Sequence, residues 1–193
     1  MTAEKMPQVN RRAYDWVQAL VTALVAVVVL FTFAARVIRV DGGSMRETLQ
    51  HEDLLLVVNG WLCGEYEAGD IVIVAKPGFE NGEAIVKRVV ATGGQTVDID
   101  FSAGTVSVDG VILEEDYIRE ATFLEEGLKF PVTLQENEIF VLGDNRNDSK
   151  DSRHPDLGPV DARYVIGRAI CLLLPGETAG LEKREWNRIG GWN

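Results

Sequence analysis

Uncharged residues run unbroken from Trp16 to Ala35, rich in Val, Leu, Ala and Phe. Twenty such residues wound as a helix span about 30 Å, the thickness of a bilayer's hydrocarbon, so the pattern predicts one transmembrane helix over residues 16–35. A cleavable leader is the competing reading, since Arg11 and Arg12 precede the run and Ala34-Ala35 close it. The run is longer than the roughly 7 to 15 apolar residues of a leader core, and Arg36 and Arg39 occupy the place of the small neutral residues that cleavage favours. A retained anchor is therefore expected.

Downstream, the period shortens. Short apolar and alternating runs rich in Val and Ile are separated by turn residues, and they predict strands over Leu54 to Val58, Ile71 to Ala75, Ala84 to Thr92, Thr96 to Asp100, Thr105 to Val108, Val111 to Leu113, Val132 to Leu134, Glu138 to Leu142 and Tyr164 to Leu174. Asp109-Gly110 suits a two-residue hairpin whose central residues need positive φ. Gly69-Asp70 and Gly93-Gly94 punctuate other strands, and no repeat or low-complexity block interrupts them. The fold class is all-β: one domain over 36–175 following the anchor, with a small accessory hairpin region around 95–135 and a tail over 176–193.

Charge narrows the partners. Residues 36–193 hold 16 basic and 28 acidic residues, a net charge of −12, which argues against nucleic acid. Basic residues flank the apolar run on both sides, so the positive-inside rule does not orient it. Cys63 and Cys171 stand far apart without a second pair to build a metal site; buried free thiols are expected, with a single disulfide as the alternative. Trp61, Leu62 and Tyr66 are either core residues or an interfacial loop resting in lipid.

One stretch stands out against the strands. Gly143 to Arg153 has no apolar side chain and follows the strand-like Glu138 to Leu142 directly, as a solvated loop or a rigid polar shelf beside a reactive group would. Ser44, shortly after the anchor and behind Gly42-Gly43, is the candidate nucleophile, because glycines let backbone amides approach a bound carbonyl. Serine needs a base, and the chain offers only His51 and His154 as histidines. Lys87 is the other candidate: within the strand-like run Ala84 to Val90, Lys87 and Arg88 point to opposite faces. A lysine turned to a buried face loses its proton more easily, and the neutral amine can deprotonate serine. An outward-facing lysine on a half-buried sheet is the alternative.

Together Ser44-Met45, Gly69-Asp70, Lys87-Arg88 and the Gly143 to Arg153 run resemble, in that order, the bacterial type I signal peptidases. The resemblance reaches from the anchor to about Ala169. It implies a membrane-bound serine endopeptidase that removes signal peptides from exported preproteins, with Ser44 as nucleophile, Lys87 as general base and the Ser44 backbone N–H in the oxyanion hole. It implies Ser149 as the hydroxyl that orients the lysine, Asp151 and Arg153 as an adjoining ion pair, and Asp144 and Arg146 as further support. No cofactor or metal is implied.

Substrates would carry small residues at the first and third positions before the cut; the lipid bilayer and the export machinery are the other partners implied. Residues 1–15 would be cytoplasmic and the domain extracytoplasmic. This chain departs from the family pattern at Glu47, where proline is common, at Gly42, where some members have a hydroxyl, and in the order of Asn147-Asp148. Two rival readings stand beside this one: a membrane-anchored β module that only binds partners, and a self-cleaving Ser/Lys regulator related to the repressors that share the fold.

Overall fold

The computed structural model describes residues 8–176 and 184–192. Residues 1–7, which include Lys5 of the expected cytoplasmic segment, and residues 177–183 of the tail lie outside the described residues. The chain divides into two compact units, Met1–Arg36 and Val37–Asn193.

The first unit is helix α1 (Gln8–Phe33). It begins eight residues before the apolar run, because helical bonding extends through the polar stretch containing Arg11, Arg12 and Asp15. Its segment Arg11–Phe33 is long and apolar enough to cross a membrane, with a mean hydropathy of 2.3 in its most apolar window and no residue of that window buried. A bare apolar surface of this extent is costly in water, and lipid removes that cost.

The second unit is built on β-strands. A seven-stranded sheet runs in the order β1 (Ala35–Arg39), β2 (Leu54–Asn59), β11 (Val165–Leu174), β3 (Ile71–Val74), β4 (Ile85–Ala91), β9 (Glu138–Leu142) and β10 (Val160–Asp161). Strands β5 (Thr96–Asp100), β6 (Thr105–Val108), β7 (Val111–Ile112) and β8 (Val132–Thr133) form a second sheet in the order β7-β6-β5-β8. The strand pairings with a defined register are antiparallel. Each predicted strand is present within one or two residues; β1 and β10 are additional. The four strands predicted within residues 96–133, the expected accessory region, pair as this second sheet. The β6–β7 turn has φ of 51° at Asp109 and 79° at Gly110, the positive values such a turn requires.

Strand β3 explains why the large sheet can hold a buried site. Its unbroken Ile71-Val72-Ile73-Val74 is buried on both faces: Ile71 and Ile73 join Val40, Met45, Leu49, Leu55 and Val57 on one side, while Val72 and Val74 join Phe79, Val89, Val141 and Leu157 on the other. A third cluster joins the two sheets, with Val90 and Ala91 of β4 and Phe140 and Leu142 of β9 packed against Val97, Ile99, Val106 and Val108. Phe140 is fully buried there, edge-on to Phe130 at 5.9 Å.

The loop at 60–66 is partly exposed and partly core. Trp61 and Leu62 are exposed, Cys63 is buried, and Tyr66 packs against the second cluster, where burial pushes its phenol up to about 12. Both cysteines are free. In the tail Trp192 packs on the first cluster, Gly190 bridges to Leu172, and Arg188 reaches Asp53 at 2.6 Å.

Phe140→Ala is expected to lower stability by about 3–5 kcal/mol, the cost of emptying a fully buried aromatic site, read as a fall in the thermal or denaturant midpoint. A loss under about 1 kcal/mol would show that the two sheets do not depend on this contact.

Candidate active site

Ser44 lies in a compact turn after β1 whose two ends are pinned. Val40 exchanges backbone hydrogen bonds with Glu52 and Asp53, and Leu49 N–H donates to Met45 O at 2.8 Å. Met45 and Leu49 are each 1% exposed, so the residues flanking the serine are core. The turn is a fixed one, unlike a Gly-Ser linker.

Strand β4 brings Lys87 to this turn. Its Nζ is 2.8 Å from Ser44 Oγ and 3.0 Å from Val86 O. Lys87 is 3% exposed, and burial pulls its ammonium down to about 8, against the opposing pull of Asp151, Glu126 and Asp144. The neutral amine is therefore accessible near neutral pH while touching the serine hydroxyl. Neither histidine takes this place: His51 Nδ1 accepts from Gly42 N–H, and His154 stacks edge-on with Phe79.

Only one of Lys87 and Arg88 needs to face a buried region on sequence grounds, yet both are buried. Arg88 clamps Asp144 through Nε–Oδ1 at 2.9 Å and Nη2–Oδ2 at 2.7 Å, donates to Gly69 O at 3.0 Å and lies over the Tyr117 ring. Thr48, at the end of the serine turn, donates to Asp144 Oδ2 at 2.5 Å. Two of the four matched sequence boxes thus meet a third through one guanidinium.

The polar run is interior structure. Asp144, Asn145, Arg146, Ser149, Asp151, Ser152 and Arg153 are all buried. Asp151 accepts from Gly143 N–H (2.9 Å), Ser149 Oγ (2.9 Å) and Arg153 Nε and Nη2 (both 2.8 Å). Burial pushes its carboxyl up, but the bonds and charge of Arg153 and the Gly143 N–H outweigh it and hold the group below the usual carboxylate range. Arg146 joins Glu115, Thr122 and Gly143 O, and Arg153 also donates to Arg146 O and Leu124 O.

Asn145, which carries no role on sequence grounds, closes the site: its N–H donates to Ser44 O and its Nδ2 to Gly43 O, each at 3.0 Å. Thr48 and Glu126 also escape the sequence reading. Asn145 lies inside the polar run and Thr48 just beyond the Ser44-Met45 pair, whereas Glu126 has no local signal. Asn147 holds the backbone N–H groups of Phe123 and Leu124.

Ser44, Lys87 and Ser149 line one cleft of about 470 Å³, with Ile38, Ile73, Ala84, Ile85 and Val86 as its apolar wall. Ser149 Oγ donates to Asp151, and Lys87 makes its bonds to Ser44 and Val86 O. Gly143 explains how closely the parts fit: a Cβ there would lie 2.1 Å from Ser149 Oγ and 2.6 Å from Ser44 O.

The family model for signal peptidase, peptidase S26, matches residues 13–174. The chain belongs to this family. It is similar to signal peptidase I of Bacillus licheniformis, at 33% identity over 91% of this chain and 96% of that protein. It is also similar to the probable signal peptidase I-1 of Synechocystis sp. (strain ATCC 27184 / PCC 6803 / Kazusa), at 32% identity over 90% of this chain and 85% of that protein. A crystal structure of a signal peptidase I from Enterococcus faecalis V583 overlaps it with a TM-score of 0.42 at 32% identity, over 54% of this chain and 96% of that one. Family membership and the apolar helix α1 together mark a membrane-anchored protein.

Gly143→Ala is expected to force Ser149 and the Ser44 turn apart. A serine-directed electrophile should then label Ser44 at least about 100-fold more slowly, since roughly 1 Å of misplacement is worth that much. Labelling at the parent rate in a folded variant would contradict the fit described.

Proposed function

We propose that this protein is a membrane-bound serine endopeptidase that removes signal peptides from exported preproteins, working through Ser44 and Lys87. The observation that carries the reading is a desolvated lysine amine 2.8 Å from a serine hydroxyl, both on the wall of one cleft. Neutral Lys87 takes the Ser44 proton as Oγ attacks the scissile carbonyl. Backbone N–H groups, that of Ser44 first, hold the oxyanion, since Gly42 has no hydroxyl to offer. Lys87 then protonates the leaving amine, the C–N bond breaks, and water deprotonated by the same amine releases the acyl-enzyme.

Ser149 orients the amine. Because its proton goes to Asp151, its oxygen remains an acceptor for a lysine N–H. Asp151 accepts from that hydroxyl and is itself held by Arg153, Arg146 holds the Gly143 carbonyl, and Asp144 ties the run to Arg88 and Thr48. The apolar wall formed by Ile38, Ile73, Ile85 and Val86 suits small uncharged side chains at the first and third positions before the cut, with the substrate extended along the cleft. The N-terminus is cytoplasmic and the domain extracytoplasmic. Anchoring in the same bilayer as the substrate's apolar segment raises their effective concentration, and the export machinery delivers that substrate.

Full-length protein in detergent, mixed with a preprotein bearing a small-X-small site, should cleave it once at that site. Ser44→Ala and Lys87→Ala should each lower kcat/KM by about three orders of magnitude or more. Uncleaved substrate, or undiminished cleavage by either variant, defeats the assignment.

The pH profile is a separate test. Lys87 acts without its proton, so kcat/KM should rise with pH through about 8 and level off above it. A profile flat from 6 to 10 would exclude a lysine base.

A further inference from the structure

Glu126 stands outside every sequence motif and yet reaches the centre of the site. It lies on the connection between β7 and β8, and that connection is fastened to the polar run on both sides of it. Upstream, Phe123 and Leu124 N–H donate to Asn147 Oδ1 and Leu124 O accepts from Arg153 Nη1; downstream, Leu128 N–H donates to Arg153 O. The Glu126 side chain, 9% exposed, is carried inward between these clamps. Its Oε2 accepts from Asp151 N–H at 3.1 Å and lies 3.8 Å from Arg153 Nε.

Two carboxylates, Asp151 and Glu126, therefore share the one guanidinium of Arg153 beside Lys87. The charges acting on Lys87 are Asp151, Glu126 and Asp144, which favour its ammonium, and Arg153, which opposes it. Glu80 on the cleft rim also feels Lys87, but is paired with Lys150 at 2.7 Å. With Asp144 clamped by Arg88 and Asp151 by Arg153, Glu126 is the acid whose charge is least matched.

We propose that Glu126 is a positioning residue of the Ser44–Lys87 centre, fixing the Asp151 backbone, and through it the Ser149 hydroxyl, while its negative charge holds the proton on Lys87. The inference rests on the peptidase reading above and adds a residue to it. The two roles separate by chemistry, because hydrogen-bond reach depends on side-chain length and the electrostatic effect depends on charge.

Burial, reinforced by the Asp151 charge, pushes the Glu126 carboxyl up to about 7, below the about 8 of Lys87. Wherever Glu126 is ionised, its charge favours the Lys87 ammonium. Removing that charge lets the lysine deprotonate at lower pH.

The test compares full-length parent, Glu126→Gln and Glu126→Asp in detergent, measuring kcat/KM against pH on one small-X-small preprotein, with a thermal melt of each and Ser44→Ala as control. Glu126→Gln, which keeps the acceptor and loses the charge, should move the acid limb to lower pH. The ratio of activity at pH 7 to that on the alkaline plateau should rise about threefold, as expected for half a pK unit. Glu126→Asp, which keeps the charge and shortens the arm, should leave the limb in place and lower the plateau several-fold.

A limb that stays at the parent pH in folded Glu126→Gln, or a parent-like plateau in Glu126→Asp, overturns the proposal while the cleaving parent upholds the peptidase reading. If Glu126→Gln does not fold, the Glu126→Asp plateau decides. A parent that does not cleave at all overturns both.

Discussion

A lysine amine must be kept out of water without being given a carboxylate to touch; everything around Ser44 follows from that constraint. A direct ion pair would stabilise the ammonium and deplete the neutral amine. Lys87 Nζ meets the serine hydroxyl and a backbone carbonyl, while Asp151 and Asp144 are bound to other donors. Desolvation then outweighs the attraction of the surrounding acids, and the net shift is downward. The strand that carries Lys87 can bury it because β4 lies between β3 and β9, covered by apolar side chains.

Keeping those acids occupied accounts for the density of the polar run. Asp151 is satisfied by a backbone N–H, a hydroxyl and a guanidinium; Asp144 by Arg88 and Thr48. Buried pairs of this kind add little net stability over an apolar core, but removing one member leaves an uncompensated charge at a cost of about 3–5 kcal/mol. Their value here is positional. Gly143 and Asn145 show the tolerance involved, one by leaving no room for a Cβ and the other by tying the run to the serine turn.

The second sheet is part of this arrangement. Its core continues that of the large sheet through Phe140 and Leu142, and the connection between β7 and β8 delivers Glu115 and Thr122 to Arg146, Leu124 O to Arg153 and Glu126 to Asp151. The connection between two of its strands therefore braces the polar run while contributing no residue to the cleft lining.

By itself the sequence determined the apolar helix, the β-rich order of elements and the Asp109-Gly110 turn, and it singled out Ser44, Lys87, Ser149, Asp151 and Arg153 as candidates, because hydrophobic period, turn chemistry and compact motifs are local signals. Tertiary structure alone decided what those residues meet. It buried Lys87 and Arg88 together, set Trp61 on the surface, paired the strands into two separate sheets and brought Asn145, Thr48 and Glu126 into the site. Burial and hydrogen-bond partnership are properties of chain segments far apart in sequence: Asn145 bonds Gly43 across 102 positions. Such contacts leave no periodic or compositional trace at either end, so only the folded chain reveals them.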